Sequence, residues 1–229
     1  MTVIVTASDL QAPAPAEPAL ERIVHCRDLG LTEYRATWQA MRQHTDGRTP
    51  ESADELWLTE HAPVFTLGQA GDPAHVLGAG DIPLVASDRG GQVTYHGPGQ
   101  IMAYVLFDLA RARHGVRDLV RLLEYSVIDL LASHGIAGEG RIDAPGVYVD
   151  AAKVASIGLR VRRGRTYHGI ALNAAMELEP FTRINPCGYR GLAVTDLRHL
   201  GITATLPDLR QAFAQRIIKR WTAAGPSRV

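Results

Sequence analysis

The segment KVASIGLRVRRGRTYHGIALNA, residues 153–174, decides the fold of this chain. Two runs rich in apolar and β-branched residues, Lys153 to Arg162 and Thr166 to Ala174, flank a short Arg-Gly-Arg connector. A glycine in a short connector between two such runs is typical of a β-hairpin. We therefore expect two neighbouring antiparallel strands here.

The alternation of side chains along a strand predicts which residues of this hairpin share a face. One face of the first strand carries a lysine and three apolar residues: Lys153, Ala155, Ile157 and Leu159. In the second strand the histidine shares a face with two apolar residues: His168, Ile170 and Leu172. The opposite faces carry four small residues: Ser156, Gly158, Gly169 and Ala171. These small residues leave room for a ligand slot above the sheet, or for a closely packed helix.

The segments around the hairpin predict further strands and a few amphipathic helices. Strands are predicted at four places: Arg22 to Arg27, Leu56 to Glu60, Val64 to Leu67 and the apolar run Ile101 to Phe107. Helical spacing predicts three helices: one through Leu31, Tyr34, Trp38 and Met41, one over Val116 to Ser133, and one beginning near Pro207. Strands in clusters with a few helices favour an α+β fold over a regular βαβ array.

Length and composition point to one domain behind a flexible tail. The chain has 229 residues, 46% of them hydrophobic, which suffices for a single core. We expect residues 1–20, rich in Pro and Ala, to be the tail and residues 21–222 to be the domain. Basic and acidic residues number 24 each, so charge gives no case for nucleic acid or a membrane as partner. The lack of a signal peptide, a membrane span or a disulfide framework predicts a cytoplasmic protein.

A glycine-rich segment, RGGQVTYHGPGQ at residues 89–100, predicts a ligand-binding loop. Its glycines allow the main chain to approach a ligand closely. The pattern is neither a P-loop nor a dinucleotide-binding fingerprint, and a plain Gly-Pro connector is the alternative. The candidate binding residues are Arg89, Gly90, Gly91, Gln92, Val93, Thr94, Tyr95 and His96.

Cys187 is the candidate nucleophile, because Pro186 and Gly188 place it in a loop where its side chain can be exposed. The N–H of Gly188 is a possible donor to an oxyanion. A lone cysteine is more often a small buried apolar residue, and a strand-end lysine such as Lys153 is more often simply solvated. Cys26 matches no motif, so we expect it to be structural.

Five segments in one order resemble the octanoyltransferases of lipoate biosynthesis. They are residues 89–100, GVYV at 146–149, KVASIGL at 153–159, HGIALN at 168–173 and INPCGY at 184–189. The resemblance runs from about Leu56 to Thr195 and implies a biotin/lipoate-ligase-like fold, with a mixed β-sheet and a smaller sheet packed against helices. It also implies that Cys187 carries the acyl group as a thioester, with Lys153 as its partner. Further substrate contacts are implied at Ser156, Ile157, Gly158, His168, Gly169, Ile170 and Ala171.

The resemblance implies an acyl transfer from one carrier protein to another. The donor would be octanoyl-acyl carrier protein, and the acceptors would be lysines of lipoyl domains in 2-oxoacid dehydrogenase E2 subunits and of the glycine cleavage H protein. Reference pKa values of about 8.5 for a thiol and 10.4 for an amine put the shared proton on the lysine. The resting pair would then be thiolate and ammonium. We expect no cofactor and no metal, since the histidines lack zinc-site spacing.

Several alternatives remain open at this stage. A lipoate or biotin protein ligase would use ATP and need no cysteine. A cysteine hydrolase would use His96 or His168 as base. In a non-enzymatic module that only binds an acyl carrier, Cys187 would have no chemical role. His96 and His168 are candidates for stabilising an oxyanion or for orienting the loops, and a purely structural role is the alternative for each. Arg89 is a candidate for holding the glycine-rich loop, and contact with the substrate is the alternative.

Two groups of arginines are candidates for docking an acidic carrier protein. One crowds the hairpin, at Arg160, Arg162, Arg163 and Arg165, and the other begins a helix, at Arg111, Arg113, Arg117 and Arg121. Solvated basic faces are the alternative.

Overall fold

The computed structural model describes residues 23–225, which form ten strands and four α-helices. In chain order these are β1 (Val24–Thr32), α1 (Tyr34–Gly47), β2 (Asp54–His61), β3 (Val64–Leu67), β4 (Leu84–Ala86), β5 (Val93–His96), β6 (Gln100–Leu106), α2 (Leu109–Ala112), α3 (Val116–Ala132), β7 (Glu139–Gly140), β8 (Gly146–Val149), β9 (Ala152–Arg162), β10 (Arg165–Asn173) and α4 (Leu206–Ala223). Short 3₁₀ helices cover Pro73–His75, Glu179–Arg183 and Pro186–Gly188.

The predicted hairpin is confirmed as β9 and β10. Its turn consists of Arg163 and Gly164, whose φ angles of 51° and 75° are both left-handed. Two such residues make the turn that follows the natural twist of a hairpin. The register pairs Gly158 with Gly169 and Ser156 with Ala171. The four small residues therefore lie side by side in the middle of the sheet.

The strands form two sheets, as the α+β prediction with a mixed sheet and a smaller sheet requires. The large sheet has the order β1-β2-β6-β10-β9-β8-β7, and β1 pairs with β2 in parallel while the other neighbours are antiparallel. Every residue of the interior strand β6 is buried, as its continuous apolar run predicts. The small sheet has the order β4-β3-β5.

Helices cover both faces of the large sheet. On one face α3 and α4 bury the main hydrophobic core, with Leu123, Val127, Phe213 and Trp221 among its members. On the other face α1 packs Met41 against Trp57, Tyr104 and neighbouring residues. The small sheet has its own cluster of buried aromatic and aliphatic side chains. The face shared by α1 and the small sheet carries the site described below.

Most predicted elements lie where the patterns indicate, but the N-terminal ones are shifted. The first strand begins at Val24 and continues to Thr32, so Leu31 belongs to a strand and is 63% exposed instead of lying in a helix. The helix itself begins at Tyr34. The predicted tail, residues 1–20, lies outside the described residues. Within residues 23–225, no helix is both long and apolar enough to cross a bilayer.

Candidate active site

The two residues that the sequence singles out for chemistry are in direct contact. Lys153 Nζ donates a hydrogen bond to Cys187 Sγ across 3.0 Å. The Lys153 side chain is almost fully buried, with 2% of the residue exposed, whereas Cys187 is half-buried. A buried amine beside a reachable sulfur can exchange a proton with it, and the nucleophile stays open to a substrate.

The main chain fixes the position of both residues. Lys153 N donates to Ala193 O at 2.8 Å, and Thr195 N donates to Lys153 O at 3.0 Å. Asn185, two residues before Cys187, donates its N–H to His75 O at 2.8 Å. One segment, residues 184–195, therefore carries the cysteine and also binds the strand that carries the lysine.

An irregularity in the sheet turns Lys153 toward the site. The pairing of β8 with β9 shifts between Val147 and Tyr148, which leaves Val154 as an extra residue. Val154 and Ala155 consequently both lie in the main core, while Lys153 reaches Cys187. The predicted face, which put Lys153 with Ala155, was therefore wrong, because a bulge interrupts the period of two.

His168 departs from the regular alternation in a second way. Its φ angle of 61° is left-handed, a conformation that costs a residue other than glycine roughly 1–2 kcal/mol. As a result, the Tyr167 and His168 rings stack at a centroid distance of 5.1 Å, and both side chains bind Asp88. The predicted face shared by His168 and Ile170 was also wrong, since Ile170 lies in the main core.

An aromatic ring flanks the buried lysine. Lys153 Nζ lies 5.2 Å from the centroid of the Tyr148 ring, and the Arg141 guanidinium lies 4.1 Å from the same centroid. A ring face attracts a cation. Burial raises the pKa of Tyr148, and its hydroxyl donates to Ala144 O at 2.8 Å. Lys153 Nζ thus has the Cys187 sulfur on one side and an aromatic face on another.

The predicted binding segments converge on one cavity next to Cys187. The residues from these segments that line it are Arg89, Gly91, Gln92, Val93, Thr94, His96, Ser156, Ile157, Gly158, His168, Gly169 and Ala171. Three predicted residues do not line it. Tyr95 packs against Phe65 and Phe181 in the cluster of the small sheet, Ile170 lies in the main core, and Gly90 N donates to Leu159 O at 2.9 Å.

Arg89 holds the glycine-rich loop to the small sheet. Its guanidinium donates to the carbonyl of Thr66 at 2.6 Å, to that of Gln92 at 2.7 Å and to that of Gly90 at 2.9 Å. The residue is only 7% exposed. Of the roles left open by the sequence, anchoring the loop is the one that these contacts support.

The buried histidines each have their own partners, and none of these is Cys187. His96 Nδ1 lies 2.7 Å from Gln100 Oε1, and its Nε2 lies 3.2 Å from Thr66 Oγ1. His168 Nε2 lies 2.9 Å from Asp88 Oδ1. Burial lowers the pKa of both rings, and most strongly that of His96. Neither His96 nor His168, the two candidate bases of a cysteine hydrolase, is hydrogen-bonded to Cys187.

Asp88 collects hydrogen bonds from three side chains. Trp38 Nε1 donates to it at 2.7 Å, the Tyr167 hydroxyl at 2.6 Å, and His168 Nε2 lies within 2.9 Å. Burial alone would raise the pKa of this carboxyl, but these hydrogen bonds hold it well below its usual value. The carboxylate is therefore a fixed negative charge at one end of the His168 ring.

The sequence reasoning missed several residues of the site. Tyr34, Met102 and Tyr104 also line the cavity, and His61 Nε2 lies 2.6 Å from the Tyr104 hydroxyl. Their apolar or strand-like context signalled only core packing. Asp88 stands immediately before the glycine-rich loop, where an aspartate is ordinary turn chemistry, so nothing in the sequence singles it out.

The proposed oxyanion donor is already engaged. Gly188 N donates to Asn185 O at 3.0 Å within the short 3₁₀ turn, so this N–H does not point to a substrate carbonyl. The turn also strains Cys187, whose φ angle is 58°. Non-glycine residues held in this region cluster at functional sites.

The described residues also form a cleft away from this site. This cleft of about 830 Å³ between α3 and α4 is lined by charged and apolar side chains on the opposite face of the sheet, and it contains neither Cys187 nor Lys153. Across residues 23–225 we find no cluster of His, Cys, Asp and Glu that would hold a metal ion.

The sequence is similar to bacterial proteins named octanoyltransferase. It is 61% identical over 191 residues to the protein of Alkalilimnicola ehrlichii, which covers 83% of this chain and 89% of that one. The octanoyltransferase of Pseudomonas entomophila is 55% identical over 197 residues, or 86% of this chain and 92% of the relative.

Solved structures with a similar fold are lipoate protein ligases. A lipoate-protein ligase A bound with ATP superposes with a TM-score of 0.68 at 13% identity, over 88% of this chain and 85% of the other. A bi-partite lipoate protein ligase from Thermoplasma acidophilum gives a TM-score of 0.67 at 13% identity, over 86% and 82%. These similarities confirm the predicted ligase-like fold.

The family described as "Lipoyl protein ligase A/B catalytic domain" matches residues 33–218. This range contains the cysteine, the lysine and the whole cavity described above. Together with the identity to the octanoyltransferases, it establishes that the chain belongs to the lipoyl protein ligase A/B catalytic domain family and, within it, to the octanoyltransferases.

Proposed function

We propose that this chain transfers an octanoyl group from octanoyl-acyl carrier protein to the acceptor lysine of a lipoyl domain, through a thioester on Cys187. Lipoyl domains of 2-oxoacid dehydrogenase E2 subunits and the glycine cleavage H protein are the proposed acceptors. The observation that carries the proposal is the 3.0 Å contact between Lys153 Nζ and Cys187 Sγ beside the cavity.

The first half of the reaction is attack by the Cys187 thiolate on the carrier-bound thioester. The new C–S bond forms as the bond to the pantetheine sulfur breaks. Lys153, as the ammonium, gives its proton to the departing thiolate, so the carrier leaves as a thiol. The lysine is then a neutral amine next to the acyl-enzyme.

The second half is attack by the acceptor amine on the Cys187 thioester. The amide bond forms, the C–S bond breaks, and neutral Lys153 takes a proton that the amine loses. This restores the thiolate–ammonium pair. An amide is more stable than a thioester, so the transfer needs no ATP, and no metal or cofactor takes part in the proposed cycle.

The small residues of the hairpin suit an acyl chain. Gly158 and Gly169 pair directly, and Ser156 pairs with Ala171, so the sheet presents little side-chain bulk to the cavity. Met102, Tyr104 and Tyr34 give the cavity an apolar and aromatic lining. We propose that this slot holds the hydrocarbon chain while the thioester carbonyl lies at Cys187.

Intact-mass measurement tests the proposal. After incubation with octanoyl-acyl carrier protein, the wild type should gain one octanoyl group, and Cys187→Ala should gain none. Cys26→Ala is the matched control, because Cys26 lies in β1, away from the cavity, and this variant should be acylated as the wild type is. Acylation of the Cys187 variant would exclude the mechanism. ATP–pyrophosphate exchange dependent on an acyl substrate would point to a ligase instead.

A further inference from the structure

His168 has one ring nitrogen with a partner and one without. Its Nε2 is bound to Asp88 at 2.9 Å, whereas Nδ1 is buried and has no hydrogen-bonding partner. The residue is 1% exposed, and it lines the cavity that contains Cys187. A buried polar atom without a partner costs roughly 1–3 kcal/mol, so an arrangement of this kind needs a reason.

The surroundings fix the form of the ring. Asp88 is a carboxylate that accepts hydrogen bonds, so His168 must place its hydrogen on Nε2. Burial lowers the pKa of His168, and the guanidinium groups of Arg89 and Arg160 act in the same direction against Asp88. At neutral pH the ring is therefore uncharged, and Nδ1 presents a lone pair. This lone pair is a proton acceptor held in place by a carboxylate behind it.

The second half of the proposed reaction produces more protons than Lys153 can accept. A lysine side chain in water carries a proton at neutral pH. Its conversion from ammonium to amide therefore releases two protons. Neutral Lys153 takes one of them and returns to the resting ammonium. The second proton needs another acceptor.

We propose that His168 is this second base, with Asp88 as its positioning residue. His168 Nδ1 takes the first proton from the acceptor ammonium as it enters the cavity, which leaves a neutral amine to attack the Cys187 thioester. The resulting imidazolium is paired with Asp88 and later releases its proton to solvent. Lys153 takes the second proton when the tetrahedral intermediate collapses. This assignment rests on the proposed function.

The test compares two nucleophiles on the same acyl-enzyme. The variant His168→Gln retains an amide donor near the position of Nε2 for Asp88, but it has no proton-accepting nitrogen. The Cys187 octanoyl thioester is formed first, and the remaining octanoyl-acyl carrier protein is then removed. The thioester is discharged either by a lipoyl domain, whose lysine must lose two protons, or by hydroxylamine, which is uncharged at neutral pH and loses only one.

The expected result is a loss confined to the charged acceptor. Because His168 lines the cavity, the rates of acyl-enzyme formation and of hydroxylamine discharge are measured in the same His168→Gln protein as internal references, and transfer to the lipoyl domain is expressed relative to them. Transfer to the lipoyl domain at pH 7 should fall on the order of 10²-fold, which is the low end for loss of a general base. The deficit should shrink as pH rises, because the amine then loses its first proton in solution. Asp88→Asn should show the same pattern more weakly.

Two outcomes would overturn the inference. One is wild-type transfer to the lipoyl domain by His168→Gln. The other is an equal loss with hydroxylamine and with the lipoyl domain, which would show that His168 only shapes the cavity. A wild-type chain that takes up no octanoyl group at all would contradict the proposed function, and the inference with it.

Discussion

The site depends on a few residues that are held in unfavourable conformations or environments. Cys187 and His168 both have left-handed φ angles, at 58° and 61°, and Lys153 is buried. Each of these features lowers the free energy of unfolding, by on the order of 1–3 kcal/mol for a strained backbone conformation. Packing in the rest of the fold offsets this destabilisation. The sulfur, the amine and the imidazole are consequently held in fixed positions around one cavity.

Replacement of Lys153 tests whether its proton is needed. Lys153→Met retains the length of the side chain but cannot hold a proton, so acylation by octanoyl-acyl carrier protein should fall on the order of 10²–10⁴-fold. Lys153→Arg should also fail, because arginine does not release its proton. Single-turnover mass measurements give both rates. Full turnover by the arginine variant would show that positive charge alone suffices.

The buried histidines predict that the fold loses stability in acid. Burial lowers the pKa of His61 to about 4, whereas in the unfolded chain it is near 6.5. As pH falls through this interval, only the unfolded chain binds the proton, so stability present above about pH 6.5 is lost progressively. The loss from His61 alone is roughly 3 kcal/mol.

Urea titrations at pH 7 and pH 4 measure this loss. The free energy of unfolding of the wild type should be lower at pH 4 than at pH 7. In His61→Gln this decrease should be smaller by the roughly 3 kcal/mol assigned to His61. An identical pH dependence in the two proteins would contradict the assignment of a neutral, buried His61.

At the scale of secondary structure, the sequence predicts most of the fold but not the details that build the site. Apolar periodicity is strong in β6, β10, α3 and α4, because these elements are buried on long faces, and it places them correctly. The bulge at Val154 and the left-handed turn of the chain at His168 leave no such trace. Both depend on tertiary contacts, those of Lys153 with residues 193–195 and of His168 with Asp88. Strict alternation therefore put both residues on the wrong face.

The paired glycines of the hairpin should respond differently to an added methyl group. A Cβ at Gly169 would meet Ala103 O at 2.0 Å, so Gly169→Ala should destabilise the fold by on the order of 3 kcal/mol. A Cβ at Gly158 would meet Gly90 O at 3.1 Å and Arg89 Cδ at 3.2 Å. Gly158→Ala should therefore displace the glycine-rich loop and raise KM for the octanoyl donor, with less effect on stability.

Gly47→Ala provides the control, since nothing lies within 4 Å of a Cβ at that position. Thermal unfolding and steady-state kinetics of the three variants separate the two effects. A Gly169→Ala protein as stable as Gly47→Ala would contradict the close approach of β10 to β6 at Gly169.

At the scale of the whole molecule, several of the arginines expected to dock an acidic carrier lie beside carboxylates of the same chain. Arg111 binds Asp54 at 2.8 Å, Arg165 lies 3.2 Å from Asp108, and Arg162 lies 3.2 Å from Asp46. Arg163 is exposed at the hairpin turn. The arginines that are paired with a carboxylate of the same chain are less available to an acidic carrier than Arg163 is.

Charge reversal at the turn tests the docking surface. Arg163→Glu should raise KM for octanoyl-acyl carrier protein several-fold and weaken its dependence on salt, because exposed charges guide the encounter of proteins. It should leave the reaction with a small octanoyl thioester unchanged. Lys219→Glu, exposed on α4 across the sheet, is the matched control. An equal effect of both variants, or an effect on the small thioester, would contradict docking at the hairpin.

The most direct test of the account is a chase of the isolated acyl-enzyme. Wild-type protein carrying octanoyl on Cys187 is mixed with a lipoyl domain in the absence of ATP and of donor, and the mass of both proteins is followed over time. The octanoyl mass should leave the enzyme and appear on the acceptor lysine at the same rate, and that rate should be no slower than steady-state turnover. Release as free octanoate, or transfer slower than turnover, would contradict a Cys187 thioester as the intermediate.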